Sequence, residues 1–374
     1  MSAIKDRRHL LAVTWDEFSD VCRAGGLPAF RARQVFEWVY GKGVCDFASM
    51  SNLSKSLRQQ LAEQWEIQTS SEIRRLIAKD GTIKLLLGWP DGAASECVLI
   101  PEDKRQTACI SSQVGCPVRC AFCASGLAGL QRQLTAGQIV EQVIRIRALA
   151  ESPRAVEPSA NEPGGAVSSN RAERAASRLS NIVFMGLGEP LANYDAVTRA
   201  IRIINADWGL NIGARSITVS TVGLPDKIRR LANEGLQINL AISLHAPDEP
   251  LRRKLIPWAR RAPIDQLIAA GRYYFEKTGR EVTLEYLLLA DVNDQPEHAN
   301  ELVKVCRKMR CNVNVIRYNP VSGLGFERPT SFATHKFVAR LRSRGINAHV
   351  RKSRGLDIDA ACGQLRRSTT SLAH

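Results

Sequence analysis

The segment GCPVRCAFCAS, residues 115–125, places Cys116, Cys120 and Cys123 within eight residues in a CxxxCxxC spacing. Three thiols so close, with no fourth nearby, are one ligand short of the closed tetrahedral set that structural zinc takes, often from CxxC pairs. The spacing suits a four-iron cluster held by three thiolates, with one iron left open to an outside ligand. What surrounds the triplet decides the fold. Strand-like ACISS stands just before it, and NIVFMG, SITVST, INLAISL, VTLEYLLL and NVNVIRY follow at intervals. These six strands alternate with helical patterns near 135–150, 194–206, 225–234, 264–277, 296–309 and 332–343. Six strand-helix pairs in series predict parallel strands with right-handed crossovers, closed or nearly closed into a (β/α)6 barrel of the α/β class.

Upstream, residues 15–64 read as short helices, with Thr14 and Ser51 as N-caps and glycines after the first two segments. Residues 72–100 change to apolar runs separated by two Asp-Gly turns, which predicts an antiparallel hairpin or meander. Residues 151–178 are rich in Ser, Ala, Pro, Gly and charge and nearly without large apolar side chains. They predict a disordered insertion between the first barrel helix and the second strand. The expected organisation is a helical accessory domain at 1–66, a β-meander extension at 67–104, the barrel at 105–356 and a C-terminal segment at 357–374.

The chain has 374 residues, 44% of them hydrophobic, so it can bury at least one large core. No apolar run at the N-terminus is long enough for a signal peptide, and nowhere do eighteen uncharged apolar residues occur together. The expectation is a soluble cytoplasmic protein without a membrane partner. In that reducing compartment ten cysteines do not form a disulfide framework, so the clustered ones read as metal-binding or redox-active. Cys22, Cys45, Cys97, Cys306 and Cys311 read as buried or incidental. Lys and Arg number 52 against 37 Asp and Glu, a net charge of +15, which favours a polyanionic partner, nucleic acid first. The basic residues gather in LRRK (251–254), PWARRAP (257–263), ARLRSRG (339–345), RKSRG (351–355) and Arg366–Arg367.

In such barrels the working residues sit where strands end and helices begin. MGLGEP (185–190), VSTVG (219–223), SLHAP (243–247) and RYNP (317–320) share that position with the cysteine triplet. The whole arrangement resembles the radical S-adenosylmethionine (SAM) superfamily. More narrowly, CISSQVGC (109–116), MGLGEPLANYD (185–195), SLHAPDE (243–249), DIDAACGQL (357–365) and FRARQVFEWVYGKG (30–43) resemble the RlmN-type RNA adenine C2 methyltransferases, over almost the whole chain. The insertion and the looser AFCASG after the cluster are departures from that pattern.

The resemblance implies a [4Fe-4S] cluster on Cys116, Cys120 and Cys123 and two SAM molecules per turnover. It implies that Cys362 accepts a methyl group, that Cys109 resolves the RNA adduct through a transient disulfide, and that Glu96 removes the C2 proton. A disulfide between Cys109 and Cys362 requires their Cα atoms within about 7 Å. SAM would be bound by Gly188, Glu189, Ser220, Ser243, Leu244, His245 and Asn319. The implied substrates are an adenosine of 23S ribosomal RNA near the peptidyl-transferase centre and an anticodon-loop adenosine of tRNA, with flavodoxin or ferredoxin as electron donor and the enzyme acting as a monomer. Two other readings stay open. Cfr-type enzymes share the cysteines and methylate adenine C8, and a non-catalytic iron-sulfur RNA-binding protein would have no need of the thiol in DIDAACGQL.

Overall fold

The computed structural model describes residues 7–103, 105–151 and 178–365. The expected insertion, apart from its two end residues, and Arg366–Arg367 lie outside the described residues. The N-terminal part folds as α1 (Trp15–Ala24), α2 (Phe30–Phe36) and α3 (Lys55–Gln64). Thr14 caps α1 in a reciprocal box: its Oγ1 accepts from Glu17 N–H, and the Glu17 carboxylate accepts from Thr14 N–H at 2.8 Å. The expected cap at Ser51 is corrected to Ser54, whose Oγ accepts from Leu57 N–H at 3.3 Å. Residues 51–53 form a turn, and both serines suit a cap by residue type, so only the backbone path separates them.

One ten-stranded sheet follows, its strands in chain order across the sheet. β1 (Ser71–Ile77), β2 (Ile83–Gly88), β3 (Ala94–Glu102) and β4 (Arg105–Cys109) are antiparallel neighbours. From β4 onward every pairing is parallel: β5 (Leu179–Phe184), β6 (Ile217–Thr221), β7 (Asn239–Ser243), β8 (Val282–Leu288), β9 (Cys311–Arg317) and β10 (Ala348–Arg351). α4 (Ala136–Ala150), α5 (Tyr194–Asn205), α6 (Pro225–Ala232), α7 (Glu249–Leu255), α8 (Ile264–Thr278), α9 (Pro296–Cys306) and α10 (Ser331–Ser343) fill the connections. The sheet is an open strip with edges at β1 and β10, the incompletely closed barrel that was expected, and is continuous with the meander. One expectation changes: β10 adds a strand where the sequence showed chiefly the start of a basic run. Four residues, Ala-His-Val-Arg, are too short to carry a strand signal of their own and owe their conformation to pairing with β9.

The helical module and the helices on the outer face of the sheet share one apolar core. Phe36 joins them: it stacks on Phe18 at 5.2 Å between centroids and meets Trp208, beyond α5, at 5.4 Å. Such aromatic pairs contribute roughly 0.5–1.5 kcal/mol each beyond their buried area. The polar counterpart is Glu141 on α4, fully buried, whose carboxylate accepts hydrogen bonds from the backbone and hydroxyls of Thr69 and Ser70 and from Arg145. No helix among the described residues is long and apolar enough to cross a membrane.

Candidate active site

Inside a barrel of parallel strands, side chains ordinarily pack as apolar layers. Here each barrel strand turns a polar side chain inward: Thr107, Asn181, Thr218, Asn239, Thr283 and Asn314 all line a cavity of about 680 Å³. Cys109, at the end of β4, and Cys362 lie in the same wall. Cys109 is buried against Val98, Leu187 and Leu365. Burial, and then the neighbouring Cys362, push its thiol up to about 12, with Arg351 opposing. Both thiols are free.

The Cys362 segment arrives from far along the chain and is tied down at three places. Asn319 Nδ2 donates to Cys362 O at 3.1 Å, and Gln364 Nε2 donates to Pro320 O at 2.9 Å, joining it to the end of β9. Ala124 N–H donates to Gly363 O at 2.8 Å and Ser125 Oγ to Leu365 O at 2.7 Å, joining it to the cysteine-triplet loop. Lys84 Nζ on β2 donates to Asp359 O at 2.9 Å. The methyl-accepting candidate is therefore roofed onto the triplet loop rather than left on a free tail.

Cys116, Cys120 and Cys123 pack against an apolar group that includes Val118, Phe122, Leu255 and Ile256. Burial raises all three thiols, Cys116 to about 12 and Cys120 well above its ordinary value; Cys123 adds to this at Cys116 and Cys120, and Cys362 adds to it at Cys123. Among the described residues no three His, Cys, Asp or Glu side chains converge as a single-ion site would need. A four-iron cluster asks for less convergence, since each thiolate takes a different iron, and this donor set of three soft thiols in an apolar pocket fits it. Binding would displace the thiol protons. Arg252 lies nearby. Although it belongs to the basic run LRRK, Arg252 is fully buried, donating to Ala262 O at 2.7 Å and Val222 O at 2.8 Å, and burial lowers it to about 10.

The other expected residues form the strand-end layer. Gly188 has φ +106, and a Cβ there would stand 2.6 Å from Gln113 Cβ, so only glycine fits. Glu189 is buried: Oε1 accepts from Leu191 N–H at 2.9 Å and Oε2 from Val222 N–H at 2.8 Å. Burial outweighs these bonds and raises its carboxyl to about 7. Ser220 and Ser243 are half-buried on neighbouring strands. Leu244 is buried and donates its N–H to Glu285 O. His245 is buried edge-on to Phe122, and its Nδ1 accepts from Leu287 N–H at 3.0 Å. Burial, then Arg252, lower it to about 3, so it is a neutral ring. Asn319 has both ends of its amide engaged, one on Cys362 O and the other on Ser353 Oγ. Glu96 is buried, with Lys84 Nζ 3.2 Å from its carboxylate. It shares a strand face with Val98, the residue opposite Cys109. Of the expected set the cavity wall unites Cys109, Cys362 and Asn319.

Three residues at this site escaped the reading of the sequence: Lys84, Glu285 and Arg351. Arg351 Nη1 lies 3.0 Å from Met185 Sδ, and Cys362, followed by Glu285, Cys109 and Glu102, holds the guanidinium above its ordinary value against burial. The signal was the alternation itself. Parallel strands buried on both faces read as continuous apolar runs, whereas TLE in β8 and NVN in β9 place polar groups every second residue.

Comparison with known proteins bears on all of this. Residues 9–67 match the family described as the ribosomal RNA large subunit methyltransferase N-terminal domain, and residues 166–303 match the radical SAM superfamily. A probable dual-specificity RNA methyltransferase RlmN of Geobacillus thermodenitrificans is 46% identical over 96% of this chain and 92% of its own length. The protein of the same name from Synechococcus sp. (strain CC9311) is 44% identical over 97% of this chain and 99% of its own. The crystal structure of a radical SAM methyltransferase from Sphaerobacter thermophilus superimposes with a TM-score of 0.88 at 44% identity, covering 96% of this chain and 99% of that one. With that coverage, from the helical module through the open barrel to the Cys362 segment, the chain belongs to the RlmN family of radical SAM RNA methyltransferases.

Proposed function

We propose that this enzyme methylates C2 of an adenosine in 23S ribosomal RNA near the peptidyl-transferase centre, and of an adenosine in tRNA, with Cys362 carrying the methyl group and Cys109 releasing the product. The observation that carries the reading is the cavity shared by the two thiols beneath the triplet loop, to which the Cys362 segment is hydrogen-bonded. C2 of adenine is an electron-poor carbon between two nitrogens and does not attack a sulfonium methyl, whereas a thiolate does. Cys362 takes the methyl group from one SAM and becomes S-methylcysteine.

Cys116, Cys120 and Cys123 would hold the four-iron cluster, and SAM bound there supplies hydrogen-atom abstraction once a flavodoxin or ferredoxin delivers an electron. Cys362, having lost a hydrogen from its S-methyl group, bonds through that carbon to C2. The adduct gives up one electron, which the oxidised four-iron cluster would take back, and Glu96, held against Lys84, accepts the C2 proton. Cys109 then attacks the Cys362 sulfur: the S–S bond forms, the C–S bond breaks, and the carbon takes a proton to become the product methyl. Reduction of the disulfide by an external thiol restores both cysteines. A loop adenosine leaves its stack at little cost, which suits delivery of the base into the cavity.

Replacing Cys109 and Cys362 separately tests the reading. Cys362→Ala should yield neither product nor adduct, while Cys109→Ala should accumulate an RNA-protein adduct that survives denaturing electrophoresis and maps by peptide mass spectrometry to Cys362. Turnover by Cys109→Ala would remove its assignment. A methyl group found at C8 of the wild-type product would replace C2 by the other regiochemistry.

A further inference from the structure

We propose that Glu285, held by Asn314, accepts a hydrogen bond from the 6-amino group of the target adenine and so fixes which edge of the base faces the thiols. Glu285 lies on β8, three residues before its end at Leu288, with Ser243 and Asn314 as its register partners on the flanking strands. Its side chain is 3% exposed and lines the cavity that contains Cys109 and Cys362. Asn314 Nδ2 donates to Oε1 at 3.1 Å, which orients the carboxylate, while Oε2 is buried without any hydrogen-bond partner. A buried carboxylate oxygen left unpaired is costly, and native interiors rarely retain one without a use. Burial raises the Glu285 carboxyl above its ordinary value, Arg351 and then Asn314 oppose it by favouring the ionised form, and no hydrogen bond reaches Oε2.

The chemistry of the missing partner follows from the oxygen: it must present an N–H or O–H to the cavity. This inference rests on the adenosine reading above. Adenine has a single exocyclic donor group, at C6, separated from C2 by N1 alone. A base that turns C2 toward the thiols therefore points its amino group sideways, at the wall beside them, where Glu285 lines the same cavity. A carboxylate fixed there favours adenine over guanine, whose 6-oxygen would meet it as a second acceptor, and resists an in-plane turn of the base that would offer C8. The other candidate source of a donor is a ribose hydroxyl of SAM, because Ser243 on the adjacent strand belongs to the expected SAM layer.

The two sources are separable with the Glu285→Gln enzyme and two RNA hairpins, one with adenosine at the target position and one with purine riboside, which lacks the 6-amino group. With adenosine, the variant should lose about 10- to 100-fold in kcat/KM for RNA. With purine riboside, the wild type should fall to a similar level and the difference between wild type and variant should shrink to within about threefold. Equal losses on both RNAs would overturn the contact. So would a raised KM for SAM together with slower RNA-independent release of 5′-deoxyadenosine, since that identifies a cofactor contact. If Glu285→Gln does not fold, Glu285→Asp, which withdraws the carboxylate by one methylene, must show the same dependence on the 6-amino group. Failure of the wild type to methylate adenosine would remove the proposed function and this contact with it, whereas methylation with equal losses removes the contact alone.

Discussion

Glu189 illustrates how burial and hydrogen bonding oppose each other at one residue. Burial disfavours its charge, three hydrogen bonds from Val222, Thr221 and Leu191 favour it, and the balance leaves the carboxyl at about 7 against an ordinary 4.5. With a folded value above the unfolded one, the stability contributed by its neutral form is fully present below 4.5 and is lost as pH rises through about 7. In protein free of SAM, the melting temperature of the wild type should therefore decline relative to Glu189→Gln as pH is raised across that window, measured by calorimetry. A difference independent of pH would show that Glu189 is ionised throughout. If a cationic amino group binds beside it, an ammonium partner would draw the Glu189 carboxyl into its charged form.

At the scale of elements, α4 is the piece that holds the helical module to the sheet. Its Glu141 is below its ordinary value even though burial alone would raise it, because Ser70 and Thr69 hydrogen-bond to the carboxylate and His9 lies close. A lowered carboxyl contributes stability present above 4.5 and lost as pH falls through its folded value. His9, lowered by burial despite the nearby Glu141 charge, likewise resists protonation in the folded state below its ordinary 6.5. Both groups weaken the junction on acidification. Glu141→Ala should cost about 3 kcal/mol or more, since it strands Arg145 and four donors in a buried setting. Hydrogen exchange should show segment 7–67 losing protection first, in the variant at neutral pH and in the wild type on acidification. Uniform loss across barrel and module would mean that the two share one unfolding unit.

For the whole molecule, the charge of +15 is distributed unevenly in kind. Arg252 is spent inside the fold, whereas Arg215, Lys352 and Arg354 line the cavity that holds Cys109 and Cys362. If these three meet RNA phosphates, replacing any one by Gln should weaken binding alike for all RNA sequences and reduce the slope of log K against log salt by about 1. Filter binding between about 50 and 200 mM salt measures it. An unchanged slope for all three would place the phosphate contacts elsewhere, on the helical module or the outer helices.

By itself the sequence determined the features that arise within a few residues: the Thr14 cap with Glu17 three positions on, the Asp-Gly turns of the meander, the order of strands and helices, and the thiol spacing at Cys116, Cys120 and Cys123. These are set by backbone geometry and short-range hydrogen bonding, and they survive reading one window at a time. The tertiary structure alone decided what depends on distant partners. Ser54 rather than Ser51 caps α3, β10 exists because β9 offers it a ladder, and Arg252 is buried because two carbonyls from other loops accept its hydrogen bonds. Above all, Cys362 stands beside Cys109 because Asn319, the Ala124–Ser125 pair and Lys84, from three separate parts of the chain, hold its segment over the polar lumen. No local pattern records that arrangement, since each hydrogen bond joins residues whose proximity exists only once the sheet has formed.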